Sequence, residues 1–306
     1  MPKGWTYQPI VVVGLLAVTC TSPVRAQQDA SLEGVFRSSI DYVSITAVVR
    51  DQRGRPVSSL SREDFQVFDA GEPRQVLDLR ADSSAPASVA LLIDGSGSMR
   101  IGGADAISIR ISDGILDSLD ASRDDAALFT FDTRLLTLQD FTRDLDAVRE
   151  KLDKVVAWGS TSLFDAIGGT AGLVAQRTQN RRAVVVLTDG ADNASAYTAG
   201  EVATVASSID VPVYVFAIVT PGEAVGTPGG NALADLARLT GGNFYVAHDE
   251  ASLQSGIQSL VEELRHQYVV AFESAAEPGW RAVEVKTRNH SHRIRARSWY
   301  RVGTGE

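Results

Sequence analysis

The sequence predicts an α/β protein: a doubly wound, mostly parallel sheet flanked by helices, with a shorter β segment on either side. Three observations carry this. Apolar runs at VALLID, AALFTF, AVVVLTD, VYVFAIV and NFYVA recur between residues 89 and 247, and stretches with helical spacing separate them. Continuous β-branched runs that alternate with helices mark strands buried on both faces of a parallel sheet. Outside that region the pattern changes to period-two alternation, as in half-buried antiparallel strands.

In chain order, residues 1–26 read as a secretory leader. Lys3 precedes an apolar core from Ile10 to Cys20, and Val24-Arg25-Ala26 offers a cleavage site. The apolar run is too short for a good membrane span. The rival readings are an uncleaved anchor or a lipoprotein on Cys20, and Thr19 fits a lipobox poorly. The protein is therefore expected to be exported, to the periplasm or beyond. Residues 27–85 form an N-terminal β segment with strands at Tyr42–Arg50, Phe65–Phe68 and RQVLDLR. The turns DQRGRP and DAGEP separate them, and Ser61 with Asp64 can start one helical turn. The α/β region spans 86–265, with helices expected at Ile101–Leu119, Leu145–Val156, Leu163–Gln176, Ala199–Ser208, Ala232–Leu239 and Ala251–Leu264. LLTLQDF, Leu135 to Phe141, adds an edge strand. Residues 266–306 return to β, with strands at QYVVAFES, RAVEVKTR and RIRARSWY. Neither flank can bury a good core alone, so the two are expected to pair into one β-sandwich that carries the α/β region as an insertion.

Composition narrows the function. With 44% hydrophobic and 22% charged residues the chain is an ordinary globular protein. Its 29 basic and 38 acidic residues give a net charge of −9. Loss of the leader removes Lys3 and Arg25, so 27 basic against 38 acidic residues leave −11. That balance argues against nucleic acid and anionic membrane as partners. The single cysteine lies in the leader, so the exported chain uses no disulfide.

LLIDGSGSM, Leu91 to Met99, sets Asp94, Ser96 and Ser98 at alternate positions after an apolar run. A tight turn also favours small polar residues there. A cation site is the other reading, because ligands bind at the carboxyl ends of strands in doubly wound sheets. Two more elements favour it: Thr161 in WGSTSLFDAI, just ahead of a helix, and Asp189, which closes VVLTDG. Every donor is oxygen, a set suited to Mg²⁺, Mn²⁺ or Ca²⁺ rather than zinc or copper. Glycines 95 and 97 let both serines face one point.

Asp94-x-Ser96-x-Ser98, then Thr161, then Asp189 resembles the metal-ion-dependent adhesion site of von Willebrand factor type A domains. The α/β part carries the likeness. GRPVSSLSREDFQVFDAGEPRQV before it and RHQYVVAFES…RARSWY after it are similar to an exported bacterial branch of that family, of the Acidobacteria type. The resemblance implies a divalent cation, Mg²⁺ first, with Mn²⁺ or Ca²⁺ as alternatives. The serines and one aspartate would coordinate it directly, the threonine and second aspartate directly or through water. An acidic side chain of a protein partner would fill the last position. A helix beginning near Met99 would point its positive end at the same spot.

Asp165 and Asp192 lie near the site in sequence and are candidates for its second layer, against ordinary roles as helix first-turn charge and loop solvation. Asp132 reads as a solvated acid, and His290 and His292 as parts of a hairpin turn. Lys286, Arg288, Arg293, Arg295 and Arg297 alternate along the tail as a basic stripe, read first as a wet face and second as a dock for acidic surface. The sequence lacks G-x-S-x-G, H-E-x-x-H and G-x-x-x-x-G-K, so no enzyme is expected and no catalytic residue is assigned. Binding module is the leading class. A metal-stiffened envelope protein is the alternative, and a metal-dependent hydrolase is less favoured.

Overall fold

The computed structural model describes residues 42–303 apart from 82, 156–158, 180, 221–229 and 275–276; the leader expected at 1–26 lies outside the described residues. The described chain opens with Tyr42–Arg50 (β1), whose odd residues Ile45, Ala47 and Val49 are buried in an apolar core. A 3-10 turn, Arg62–Asp64, closed by the Ser61–Asp64 capping box, leads into Phe65–Asp69 (β2), Glu72–Arg74 (β3) and Val76–Arg80 (β4).

Ala87–Asp94 (β5) buries all its side chains, and so do Asp125–Phe131 (β6) and Val213–Ile218 (β9). Together with Arg181–Thr188 (β8) they pair in parallel, Phe244–Ala247 (β10) extends one side, and Leu135–Thr142 (β7) closes the other as an antiparallel edge. The order is β10-β9-β8-β5-β6-β7. Ala104–Asp117 (α1), Leu145–Leu152 (α2) and Glu250–Arg265 (α6) cover one face, packing Ile111, Val148 and Leu260 over Leu91 and Val185. Leu163–Ala175 (α3), Ala199–Ser208 (α4) and Gly230–Thr240 (α5) cover the other, over Leu92 and Val186. Alternate residues of each strand thus serve opposite cores, which is why the strands read as unbroken apolar runs. α6 sits unusually close to the sheet: a Cβ on Gly256 would lie 2.7 Å from the Phe216 ring.

Two departures from the sequence reading have plain causes. The helix expected from Ile101 begins at Ala104. Gly97–Gly103 is instead a 3-10 segment broken at Ile101, and Gly102 and Gly103 both take positive φ (64° and 80°). These conformations interrupt a helix and suit glycine. RIRARSWY is also two strands, Arg293–Ala296 (β13) and Trp299–Val302 (β14), in different sheets.

The tail strands Gln267–Glu273 (β11) and Gly279–Thr287 (β12) complete the sandwich. β1 lies antiparallel between β11 and β13, and β11 pairs with β4. The second sheet runs β14-β12-β2-β3. Segments before and after the α/β region therefore interleave in one core, with Phe65, Tyr268, Phe272 and Tyr300 packed ring to ring.

The basic stripe divides: Lys286, Arg288 and Arg293 keep the exposed placement expected of a wet face, and Arg295 and Arg297 do not. Arg295 pairs with Glu263 on α6, whose carboxyl is fully buried and also meets Arg50 at 3.0 Å. Arg297 is buried against α4, donating to the Ser207 carbonyl and facing Asp210 at 3.3 Å, while Thr46 donates to the same aspartate. Arg295 and Arg297 fasten the sandwich to the α/β unit. Arg288 donates to the Glu63 carbonyl and Lys286 pairs with Glu284, both from exposed positions.

Candidate metal centre

The candidate residues sit on three loops at the carboxyl end of the sheet. Asp94 ends β5 and is 1% exposed. Ser96 is equally buried, and Ser98 is half-buried at the start of the 3-10 segment. The Asp94 carboxylate accepts from the Ser96 backbone N–H at 2.9 Å, and the two serine hydroxyls lie 3.0 Å apart. Glycine 97 donates to the Gly159 carbonyl at 3.2 Å, joining this loop to the one that delivers Thr161. Thr161 is 2% exposed just before α3. Its backbone is gripped on both sides by Asn193: the side-chain oxygen accepts from the Thr161 N–H, and the Asn193 N–H donates to the Thr161 carbonyl. Asp189 follows β8 directly, partly exposed, with one carboxylate oxygen taking the Ala191 N–H.

The residue that sequence reasoning missed is Thr188. Its hydroxyl donates to Asp94 Oδ2 at 2.5 Å and accepts from the Gly190 N–H, so it ties β8 to β5 beneath the site. Asn193 was missed as well. Asp192 and Asp165 take ordinary roles at the start of α3 and in the loop after β8. Asp192 accepts from the Leu163 N–H at the start of α3 and from the Ser195 hydroxyl. Asp165 accepts from the Ala196 and Tyr197 N–H groups. Both zip α3 to the loop after β8 and touch none of the five candidate side chains. The carboxylate of Asp132 accepts from the Arg134 N–H, turning the β6–β7 hairpin.

Burial pushes the Asp94 carboxyl from 3.8 up to about 6. Hydrogen bonds from Thr188 and Ser96 work against that rise, and the negative charge of Asp189 adds to it. The charge of Asp189 is therefore near enough to be felt at Asp94, and no basic side chain pairs with either carboxylate among the described residues. Such a spot has the electrostatics of a cation site. Among the described residues no group of three or more His, Cys, Asp or Glu side chains could hold a metal. A cation here must therefore rely on hydroxyls beside two carboxylates, as hard divalent ions do. The donor set fits one. The expected push from a helix starting near Met99 is reduced, since α1 begins at Ala104.

A sequence profile of the von Willebrand factor type A domain matches residues 89–191, which span β5 through the Asp189 loop. The α/β unit has the type A fold. Among solved structures, a von Willebrand factor type A protein from Catenulispora acidiphila superposes with a TM-score of 0.50 at 13% identity, over 88% of this chain and 74% of that one. Proximal thread matrix protein 1 from the mussel byssus gives 0.50 at 16% identity, over 72% of this chain and 50% of that one. BatB from Bacteroides thetaiotaomicron gives 0.47 at 18% identity, over 58% of this chain and 98% of that one. No curated protein matches the sequence. At these identities the likeness concerns the fold. The profile match covers the loops of Asp94, Ser96, Ser98, Thr161 and Asp189, and the sandwich lies outside it.

Proposed function

We propose that this protein is an exported binding module that holds a divalent cation, Mg²⁺ first, through Asp94, Ser96, Ser98, Thr161 and Asp189. The observation that carries the reading is the buried Asp94 carboxyl, without a basic partner among the described residues, on the same tight loop as the paired Ser96 and Ser98 hydroxyls. When bound, the ion supplies a Lewis-acidic contact for a carboxylate on a protein partner. The protein's own part is to hold five oxygens in place, and the contacts of Thr188, Asn193 and Gly159 do this before any ligand arrives. The type A fold is that of protein-interaction modules, which supports a binding role. Export rests on the leader pattern, and among the described residues no helix is long and apolar enough to cross a membrane. Catalysis is not part of the reading: none of the four histidines lies on the three loops. A purely stiffening role for the metal is disfavoured, because protein hydrogen bonds already tie the loops together.

The test is a peptide array in which Asp or Glu stands at the centre of varied sequences, probed with the purified chain. Retention that needs Mg²⁺, vanishes with EDTA and is lost in Asp94→Ala supports the reading. Metal binding in solution without metal-dependent retention of any peptide would leave the stiffening role in its place.

A further inference from the structure

Where the β-sandwich meets the α/β unit, a cleft of about 550 Å³ stays open. Its floor is the outer face of β1, β11 and β4. Ile45, Tyr268 and Val270 turn into the sandwich core, so the residues between them turn out. The register sets these in two rows, Thr46–Val269–Arg80 and Ser44–Ala271–Asp78. Ser44, Thr46, Val269 and Ala271 are small, which keeps the floor low. The opposite wall is the base of the α/β unit: Arg177 and Gln179 after α3, Arg182 in β8 and Asp210 after α4.

The charges around the cleft are paired, with one exception. Arg80 meets Asp78 at 2.9 Å, Arg177 meets Asp125 at 2.6 Å and Asp210 meets Arg297 at 3.3 Å. Arg182 meets no carboxylate among the described residues. Its terminal nitrogens donate to the Ala175 and Ile209 carbonyls at 3.0 and 3.4 Å. These carbonyls end α3 and α4, whose dipoles favour a cation there and hold the guanidinium at the wall. That takes two of the five N–H donors of an arginine. Arg182 Nε and Gln179 Oε1 are buried without a partner among the described residues, and unpaired polar atoms at a joint mark a place for a further one.

We infer that the cleft binds a small organic monocarboxylate, its carboxylate held by Arg182 and its apolar body laid on Leu77, Val269 and Ala271. The volume is that of a small-molecule pocket, roughly 300–1,000 Å³, and such pockets favour joints between structural units. One guanidinium without a carboxylate calls for one negative charge, and its planar fork matches a carboxylate. Asp78 and Asp210 border the same space and repel a dianion such as phosphate. A bare inorganic ion would also leave the apolar part of the floor uncovered. The cleft lies at the amino end of β8 and the metal site past its carboxyl end, about 23 Å away along the strand. Binding here therefore needs no metal ion. A ligand so placed touches both units and fastens the sandwich beside the Arg297–Asp210 pair.

The test is saturation-transfer NMR and titration calorimetry of the whole chain with hexanoate, benzoate, phenylacetate and cinnamate. Their amides and inorganic phosphate serve as comparisons, and EDTA is present so that no metal-bound carboxylate contributes. The expected result is that at least one acid binds and raises the melting temperature, while its amide binds about tenfold more weakly or worse. Arg182→Gln should erase the difference between acid and amide. Ser44→Trp fills the floor and leaves the Ser44 carbonyl to its bond from Arg297, so it should abolish binding of acid and amide alike. A cooperative melt shows that each variant is folded, and Ser44→Trp keeps the test decisive if Arg182→Gln is not. The proposal is overturned if no acid binds, or if amide or phosphate binds as tightly as the acid. Binding in Ser44→Trp at the wild-type level places the ligand elsewhere and also overturns it, as does an undiminished preference for acid over amide in folded Arg182→Gln.

Discussion

Replacing Asp94 with asparagine separates what the carboxylate costs the fold from what it does for the site. Burial raises the Asp94 carboxyl from 3.8 to about 6. At about 1.4 kcal/mol per pH unit, the ionised form is about 3 kcal/mol worse off in the folded chain than in the unfolded one. The sign follows from the raised value. In metal-free protein this stability is present below about pH 4 and is lost as pH rises through about 6. Asparagine keeps the Ser96 N–H as donor to its oxygen and turns its amide to the Thr188 hydroxyl, whose proton then lacks its acceptor, a loss of about 1 kcal/mol. The net gain for metal-free Asp94→Asn at pH 7.5 is about 2 kcal/mol, or about 4–8 °C in melting temperature for a domain of this size. At pH 4.5 the difference should close. With excess Mg²⁺ the order should reverse at pH 7.5, because a ligand at a hundredfold excess over its Kd stabilises only the competent wild type, by about 2.7 kcal/mol. Scanning calorimetry of both proteins in EDTA and in Mg²⁺ at the two pH values reads all four states. An asparagine variant no more stable than wild type in EDTA would refute the burial argument, and parallel shifts with Mg²⁺ would refute the role of Asp94 as a ligand.

Glu263→Gln should cost about 3–5 kcal/mol in denaturant melts, because it leaves Arg50 and Arg295 facing one another without their shared buried acid. Asp192→Ala should lose about 1 kcal/mol through the uncapped start of α3, read by chemical denaturation with m unchanged. Gly256→Val should destabilise by about 1–3 kcal/mol, since its side chain must displace the Phe216 ring or lift α6. A fragment of residues 27–85 should show no protected amides by hydrogen exchange, because β1 has both its partners, β11 and β13, in the tail.

What the sequence disclosed depended on whether one residue's neighbours are local. β1 and α4 were legible to the residue, because Tyr42–Arg50 is a β-branched run bounded by a turn and Thr198-x-x-Glu201 caps a plain helix. The parallel sheet was legible because strands buried on both faces leave unbroken apolar runs. The start of α1 was missed because Ile101 looks helical by periodicity, whereas the two glycines after it set the backbone. β3 was missed because it is three residues long and holds Pro73, and only its pairing with β2 makes it a strand. The stripe Arg293, Arg295, Arg297 alternates as a solvated strand does. No local signal reveals that Glu263 and Asp210, on α6 and just past α4, wait for two of its members. The candidate ligands were legible from their strand-end spacing. Their supports, Thr188 and Asn193, were not, since a hydroxyl or amide that reaches across from another loop leaves no periodic mark.

The central claim is a divalent cation held at the ends of β5 and β8, and titration calorimetry of the purified chain with Mg²⁺ and Mn²⁺ tests it most directly. The account predicts one site per chain, weaker below about pH 6 as protons compete for Asp94, and absent in Asp94→Ala and Asp189→Ala. Heats that are absent in wild type, or present and unchanged in both variants, would contradict it.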